Sequence, residues 1–326
     1  CVIITILLIY AFIKWRERKL KEEKKILEKT VKERTIELSE ANQDLAQKKK
    51  IIEEKNKDIL DSINYARGIQ QTILPRIDEF KKLLPESFVL FKPKDIVSGD
   101  FYWIAEQNGK VLFAACDCTG HGVPGAFMSM MCNAFLNEVV TKRGLSKPSE
   151  ILDAVRAEII ATLKQRGQLG EQKDGMDIGR CAINTDTLEM QFAGANNPCY
   201  IVKSEKLKVE SEKYTENNFT NFANFELYEL KGDKMPIGIH SNMQPFTNQI
   251  FQLQHGDVIY LMSDGYEDQF GGANRKKFLA KNLKTLLTAN SQKLMADQKQ
   301  ILETTITDWI DTGEQIDDIT VLGIKI

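Results

Sequence analysis

The chain has 326 residues, enough for one large domain or two ordinary ones. Its 44 Lys and Arg nearly balance 46 Asp and Glu, leaving a net charge of −2. That balance, with no basic aromatic-rich patch, excludes the electrostatic attraction on which nucleic-acid binding rests. The six cysteines, Cys1, Cys116, Cys118, Cys132, Cys181 and Cys199, form no paired framework, and most lie in apolar runs, as suits a reducing compartment. Cys116-x-Cys118 is too closely spaced for a zinc knuckle, and alternation along one strand explains it.

Residues 1–13, "CVIITILLIYAFI", carry no charge. A helix of that length spans ~20 Å, short of the ~30 Å hydrocarbon core. Lys14, Trp15, Arg16, Arg18 and Lys19 follow. An interfacial Trp beside a basic cluster marks the cytoplasmic exit of a membrane helix, so 1–13 is expected to be the end of a truncated spanning helix. A signal-peptide core would carry its charges before the apolar run, not after it.

Residues 14–67 contain no proline and no glycine. Val31, Leu38, Leu45, Ile52, Ile59, Ala66 and Ile73 recur every seven residues, the spacing that keeps one apolar seam facing a partner helix. The companion seam, Leu20, Leu27, Arg34, Ala41, Lys48, Lys55 and Ser62, turns polar after its start. The spacing predicts a weak homodimeric coiled-coil linker over 14–74, suited to transmitting a signal between two packings of similar energy. Gly68, Pro75 and Pro85 punctuate its end.

From about residue 86 the pattern changes to short apolar strands. "ESFVLFKP" reads as a strand, and "DFYWIAEQNGKVLFAACD" as a hairpin turning at Asn108-Gly109. Two helices are expected over 123–142 and 148–165, the first with Pro124 near its first turn. Strands are expected at about 177–185, 188–193, 198–203, 226–230, 248–253 and 257–263. A polar loop is expected at 204–225 and two helices within 275–311. "DITVLGIKI" closes the chain as a strand. Hairpin-ordered strands with paired helices predict antiparallel sheets covered by helices, an α/β (α+β) class and not a Rossmann sheet.

Four acidic sites stand at strand ends: Asp100, Asp117, Asp264 and Asp317-Asp318. Any one could be a turn or a cap. Together, crowded at one sheet end, they would repel each other unless cations neutralise them. Hard oxygen ligands suit two Mg²⁺ or Mn²⁺ ions, and such a pair can activate water and hold a phosphoryl oxygen. That chemistry is hydrolysis of a phosphoester.

The ordered stretches "VSGDFYW", "DCTGHGVPGAFMSMM", "GANNPCYIV", "MPIGI", "GDVIYLMSDGYED" and "DDITVLGI" resemble the motifs of SpoIIE/RsbU-type serine phosphatases, members of the metal-dependent PP2C-like superfamily. The resemblance covers residues 86–326 and implies an α-β-β-α sandwich with a two-metal centre. It implies Asp100, Asp117, Asp264 and Asp317 as metal ligands, with the backbone carbonyl of Cys118. Asp117 would bridge the metals, and Asp177 in "GMDIGR" is a candidate for a third ion. Gly120 and Gly122 would let the loop turn tightly. The eukaryotic-type motif has histidine two places after the aspartate. Here Thr119 stands there and His121 lies four places after, as general acid or as loop-positioning residue. "GANNP" departs from the Gly-His-x-Pro of many relatives, a change expected to touch the loop and not the chemistry. Asp318 is expected to orient Asp317. The resemblance further implies a phosphoserine substrate, a STAS-type anti-sigma-factor antagonist, and control by an N-terminal sensor at the bacterial inner membrane, with the phosphatase domain in the cytoplasm.

A membrane-tethered nucleotidyl cyclase would also use aspartates, two metals and a coiled coil, but no purine-selecting set is recognisable. A silent dimeric adaptor would have no need of four aspartates. A histidine kinase would need a histidine in the coil, and the three histidines are His121, His240 and His255.

Overall fold

The structure is a computed structural model that describes residues 2–168, 170, 173–204, 219–222 and 225–326. It divides into two compact units, residues 1–62 and 63–326. The first is a continuous stretch of helix α1 (Val2–Ile73), whose last turns belong to the second. Good helix formers and the lack of Pro or Gly before Gly68 let the helix run. Ion pairs at i,i+4, such as Lys24–Glu28 and Lys48–Asp44, are solvent-exposed and support it only weakly. The seam residues Val31, Leu38, Leu45, Ile52 and Ile59 are each more than half exposed in the single chain. Among the described residues no helix is long and apolar enough to cross a membrane.

The second unit continues with α2 (Ile77–Leu83), β1 (Ser87–Lys92), β2 (Asp100–Gln107) and β3 (Lys110–Cys118). Next come α3 (Gly122–Asn137), extended by a π-helical turn at Glu138–Lys142, and α4 (Pro148–Thr162). The strands β4 (Met176–Asn184), β5 (Glu189–Ala195), β6 (Cys199–Val202), β7 (Phe219–Phe222), β8 (Phe225–Leu230), β9 (Gln249–Gln252) and β10 (Val258–Met262) follow. The chain ends with α5 (Gly265–Asp268), a small hairpin of β11 (Phe270–Gly271) and β12 (Lys276–Lys277), α6 (Ala280–Asn290), α7 (Met295–Ile310) and β13 (Ile319–Lys325).

One sheet runs β1-β13-β10-β6-β8-β7 and the other β2-β3-β4-β5-β9, with every pairing antiparallel. Strand alternation sorts side chains to opposite faces. Phe113, Cys181 and Phe192 pack between the sheets against Val89, Ile259 and Leu322. On the outer face, Leu112, Ala114 and Ile178 meet Cys132 and Leu136 of α3 and Val155 of α4. Tyr260 and Val321 meet Leu283 of α6 and Leu302 and Ile306 of α7 on the other side. The result is the expected α-β-β-α sandwich, preceded by a long helix.

Some details differ from expectation. Within 204–225, residues 219–222 form β7, paired with β8 at the sheet edge, while 205–218 and 223–224 lie outside the described residues. The segment expected to begin a helix near 275 first makes the β11–β12 hairpin. Leu279, with φ of 73°, then breaks the backbone before α6 starts at Ala280. Composition also gave no warning of Arg180, which is fully buried on β4 with its guanidinium 4.5 Å from the Trp103 ring centre. Burial pulls its pKa down to about 10. The stacking offsets part of the cost of removing a cation from water.

The loops around α3 pack backbone against backbone. A Cβ on Gly125 would lie 2.9 Å from Gly99 Cα and closer still to the Gly120 carbonyl oxygen. Gly125→Ala is therefore expected to destabilise the protein by about 1–3 kcal/mol through overpacking. Denaturant unfolding of the full chain measures this, and an unchanged midpoint would show that the close approach is not maintained in solution.

Candidate metal centre

The tight turn at Asn108-Gly109, with φ of 53° and 69°, fixes the β2–β3 register. That register sets Asp100 opposite Asp117, and β3–β4 pairing sets Asp117 opposite Asp177. Three carboxylates thus form a row across neighbouring strands. They continue the same strand face as Tyr102, Phe113, Ala115 and Cys181, the face that packs between the sheets. The row lies at the end of the inter-sheet layer, where the apolar side chains stop.

The opposite sheet brings the remaining acids. β10 ends at Met262, and Ser263 Oγ then donates to Asp100 Oδ2 at 2.5 Å. Asp264 precedes the single turn α5, and Asp317 lies just before β13. Asp117, Cys118, Asp177, Asp264 and Asp317 line one cavity of about 400 Å³, with Asp100 buried behind them at 2% exposure. A Cβ on Gly265 would collide with the Asp318 carbonyl, so only glycine lets the two ligand-bearing segments meet.

Burial, followed by the charges of Asp318 and Asp317, pushes Asp100 up to about 8 against the hydrogen bond from Ser263. Burial, then Asp100, Asp264, Asp177 and Asp317, pushes Asp117 up to about 10. Asp177 rises to about 6 through burial, opposed by a hydrogen bond from Asn196. Asp264 is raised by burial and by Asp317. The only cation lining the cavity among the described residues is Lys173. Such an excess of buried negative charge fits divalent cations, and the all-oxygen donors fit hard ions. The carboxylates share a cavity without closing on one point: no three His, Cys, Asp or Glu side chains among the described residues are grouped to grip an ion. Carboxylate side chains rotate and buried charge must be neutralised, so the shared cavity still suits divalent ions.

The rim is built from the loops. Gly120 and Gly122 both have positive φ, at 87° and 62°, and turn the chain into α3. Thr119 is spent on Gly175: its Oγ1 accepts from Gly175 N at 3.0 Å and its N donates to Gly175 O at 3.0 Å. This ties the loop after Asp117 to the start of β4, two residues from Asp177. His121 also lines the cavity; its Nδ1 lies 2.8 Å from Asp95 Oδ2 and its Nε2 3.3 Å from Lys94 Nζ. A carboxylate only accepts and an ammonium only donates, so in this arrangement Nδ1 carries the proton and Nε2 accepts. Asn196 Nδ2 donates to Asp177 Oδ1 at 2.9 Å and lines the cavity, so the "GANNP" departure does touch a candidate ligand.

Two residues stand behind the ligands. Asp318 does more than orient Asp317: its carboxylate accepts from Lys94 N and Gly99 N, both at 2.7 Å, and its own N donates to Asp317 Oδ1 at 2.9 Å. Gln70, near the end of α1, is 5% exposed. It donates to Ser98 O and Ser129 Oγ at 2.6 and 2.9 Å and accepts from Ser98 N at 3.1 Å. Sequence reasoning missed Gln70, Asp95 and Lys94. A lone amide on a long helix rich in Lys and Glu and a charged pair in a loop carry no distinguishing pattern.

The family model for stage II sporulation protein E (SpoIIE) matches residues 107–326. The chain is similar in structure to the SiaA-PP2C domain of Pseudomonas aeruginosa, at 29% identity and a TM-score of 0.70, over 83% of this chain and 98% of that one. It is also similar to the PP2C phosphatase domain with a regulatory fragment of SpoIIE from Bacillus subtilis, at 17% identity and a TM-score of 0.53, over 74% and 63%. The RsbU and RsbW domains of Rv1364c from Mycobacterium tuberculosis match at 16% and 0.52, over 74% and 60%. These last two likenesses speak to the fold alone. Among curated proteins none matches the chain in sequence.

The raised carboxyls set a pH dependence. Each holds its proton in the folded chain after the unfolded chain has lost it, so stability falls as pH climbs from the unfolded value towards the raised one. Without metal, the melting temperature is expected to drop between about pH 5 and pH 8, the span in which Asp177, at about 6, and Asp100, at about 8, titrate. Added Mn²⁺ should raise it more at the higher pH, where protons compete less. Calorimetry with chelator and with metal measures both; a melting temperature flat in pH and blind to metal would contradict the buried acidic row.

Proposed function

We propose that this chain, which belongs to the SpoIIE family of PP2C-type serine phosphatases, removes phosphate from a phosphoserine on a signalling protein, with Asp100, Asp117, Asp264, Asp317 and the Cys118 carbonyl holding two divalent ions. The family consists of metal-dependent phosphoprotein phosphatases, and the cyclase and kinase layouts do not belong to it. The observation that carries the reading is the shared cavity of Asp117, Asp264, Asp317 and Asp177 with Asp100 behind them, a concentration of carboxylates lined, among the described residues, by Lys173 as its cation.

Two Mn²⁺ or Mg²⁺ ions there would supply an acidified water and a counter-charge for phosphoryl oxygens. The chain's own groups do the rest. Asp318 fixes the loop that delivers Gly99 and Asp100, and Thr119 fixes the loop that follows Asp117. Asn196 holds Asp177, the candidate for a third ion. As the bond from phosphorus to the serine oxygen breaks, that oxygen keeps the electron pair and needs a proton. His121 at the cavity edge would deliver it in the imidazolium form, with Nδ1–H held by Asp95 and Nε2–H turned from Lys94 to the serine oxygen.

The substrate we favour is a STAS-type anti-sigma-factor antagonist. The unit at 86–326 would be the phosphatase domain, 14–74 a coiled-coil linker to a second copy of the chain, and 1–13 the end of a membrane helix below a sensor. This would place the enzyme at the bacterial inner membrane, facing the cytoplasm. The exposed apolar seam from Val31 to Ile59 supports the coil, and Gln70 supports control through it. A small change in the angle of α1 moves an amide bonded to the backbone two residues before Asp100.

The full chain with Mn²⁺ is expected to hydrolyse an aryl phosphate, and Asp117→Asn and Asp264→Asn to lose roughly a hundredfold or more. His121→Ala should cost about 10²-fold on a phosphoserine peptide and far less on an aryl phosphate, whose leaving oxygen needs no proton. Neither activity nor metal binding in the wild type would favour the silent adaptor. A half-heptad insertion between Val31 and Leu38 should change turnover severalfold by rotating the coil phase; unchanged turnover and signal response would rule out control through the linker.

A further inference from the structure

We propose that Lys173 binds the phosphoryl group of the substrate at the mouth of the carboxylate cavity, as the protein's own counter-charge to oxygens that the metal ions do not hold. The inference rests on the phosphatase reading and adds a substrate-binding residue to it.

Lys173 lines the cavity together with Asp117, Asp177, Asp264 and Asp317. It is exposed, and no acid among the described residues holds it. An ammonium sunk among so many carboxylates would pair with one of them. This one therefore stands at the mouth, which a phosphoryl group must pass.

The backbone beside Lys173 is fixed from three directions. Gln165 Nε2, just beyond α4, donates to Asp174 O at 2.6 Å. Gly175 is tied through its N and its O to Thr119, in the loop that follows Asp117 and Cys118. Met176 and Ile237 exchange backbone hydrogen bonds of 3.1 and 2.8 Å. A Cβ on Gly175 would lie 2.7 Å from Ile237 O, so the two segments meet backbone to backbone. The lysine stem thus leaves a held strand entry, and the same bonds join that entry to the loop of two candidate ligands.

Charge gives the cation its role. Two divalent ions are nearly spent on the five carboxylates Asp100, Asp117, Asp177, Asp264 and Asp317. A serine phosphate brings about −1.5 to −2 more. His121 gives up its positive charge with the proton that it delivers. Lys173 is then the cation left among the described lining residues. An ammonium carries three donors on a flexible stem, so it can follow the phosphoryl oxygens from ester to free phosphate. A lysine that only drew anions in through bulk water would lose its effect at high salt, and a contact would keep most of it.

The test uses the full chain with Mn²⁺ and two substrates, an aryl phosphate and a phosphoserine peptide. Lys173→Met is expected to raise KM about tenfold for both, with kcat changed far less, because both present the same phosphoryl group. Lys173→Arg should restore most of the loss. Calorimetric titration of inorganic phosphate into the Mn²⁺-loaded chain should show about the same tenfold weakening in Lys173→Met, most of it kept at about 0.5 M salt. Mn²⁺ affinity without phosphate should not fall, since removing a cation from the mouth takes nothing from the carboxylates. Equal KM and equal phosphate affinity in wild type and Lys173→Met would overturn the inference and leave the phosphatase reading standing. An effect on the peptide alone, one that vanishes with salt, or one that comes with weakened Mn²⁺ binding would also overturn it, by assigning Lys173 to flanking residues, to steering or to the fold. A wild type that hydrolyses neither substrate would overturn the phosphatase reading and this one with it.

Discussion

Everything in the second unit answers to the repulsion among carboxylates at one end of the inter-sheet layer. A sandwich can end its apolar layer with polar groups facing water. Here it ends on Asp100, Asp117 and Asp177 in a row on one sheet, with Asp264 and Asp317 brought from the other. The backbone hydrogen bonds of three strands hold the row, so no acid can leave without breaking the ladder. The acids are forced together by register, and charge neutralisation becomes a condition of the deprotonated folded state.

That constraint explains the expense of the surrounding loops. Gly99, Gly125 and Gly265 each sit where a Cβ would collide with backbone, and Gly120 takes a positive φ of 87°. They let the ligand-bearing segments approach more closely than side-chain packing permits. Asp318 works on the same problem from behind, since its carboxylate binds two loop amides and leaves Asp317 turned to the cavity. Thr119 closes the opposite side through Gly175. The centre is thus a meeting of five backbone segments, and its side chains are the part that shows.

Much of this was legible in the sequence. The hairpin at Asn108-Gly109 gave the Asp100–Asp117 pairing, because a two-residue turn fixes register. Alternation gave the sheet faces, and spacing gave the long helix. What escaped reading depends on contacts distant in the chain. β7 follows a polar stretch, and its hairpin with β8 is formed by pairing and not by composition. Arg180 occupies a strand centre where pattern alone predicts an apolar residue, and only its stacking on Trp103 accounts for it. Gln70 looked like one polar residue among many on a solvated helix. Its role appears only when Ser98 and Ser129, 28 and 59 residues away, fold against it.

The three tryptophans stand in three different surroundings. Trp15 is 58% exposed on the long helix, Trp103 is sealed beneath a guanidinium, and Trp309 is half-buried under the β11–β12 hairpin with its indole N–H fixed. Their emission should therefore separate by wavelength and by access to quencher. The indole at position 309 lies against Gly271 and Gly272 of that hairpin, which makes it an internal optical probe of the segment that follows Asp264 and α5. The molecule can be watched there without a label.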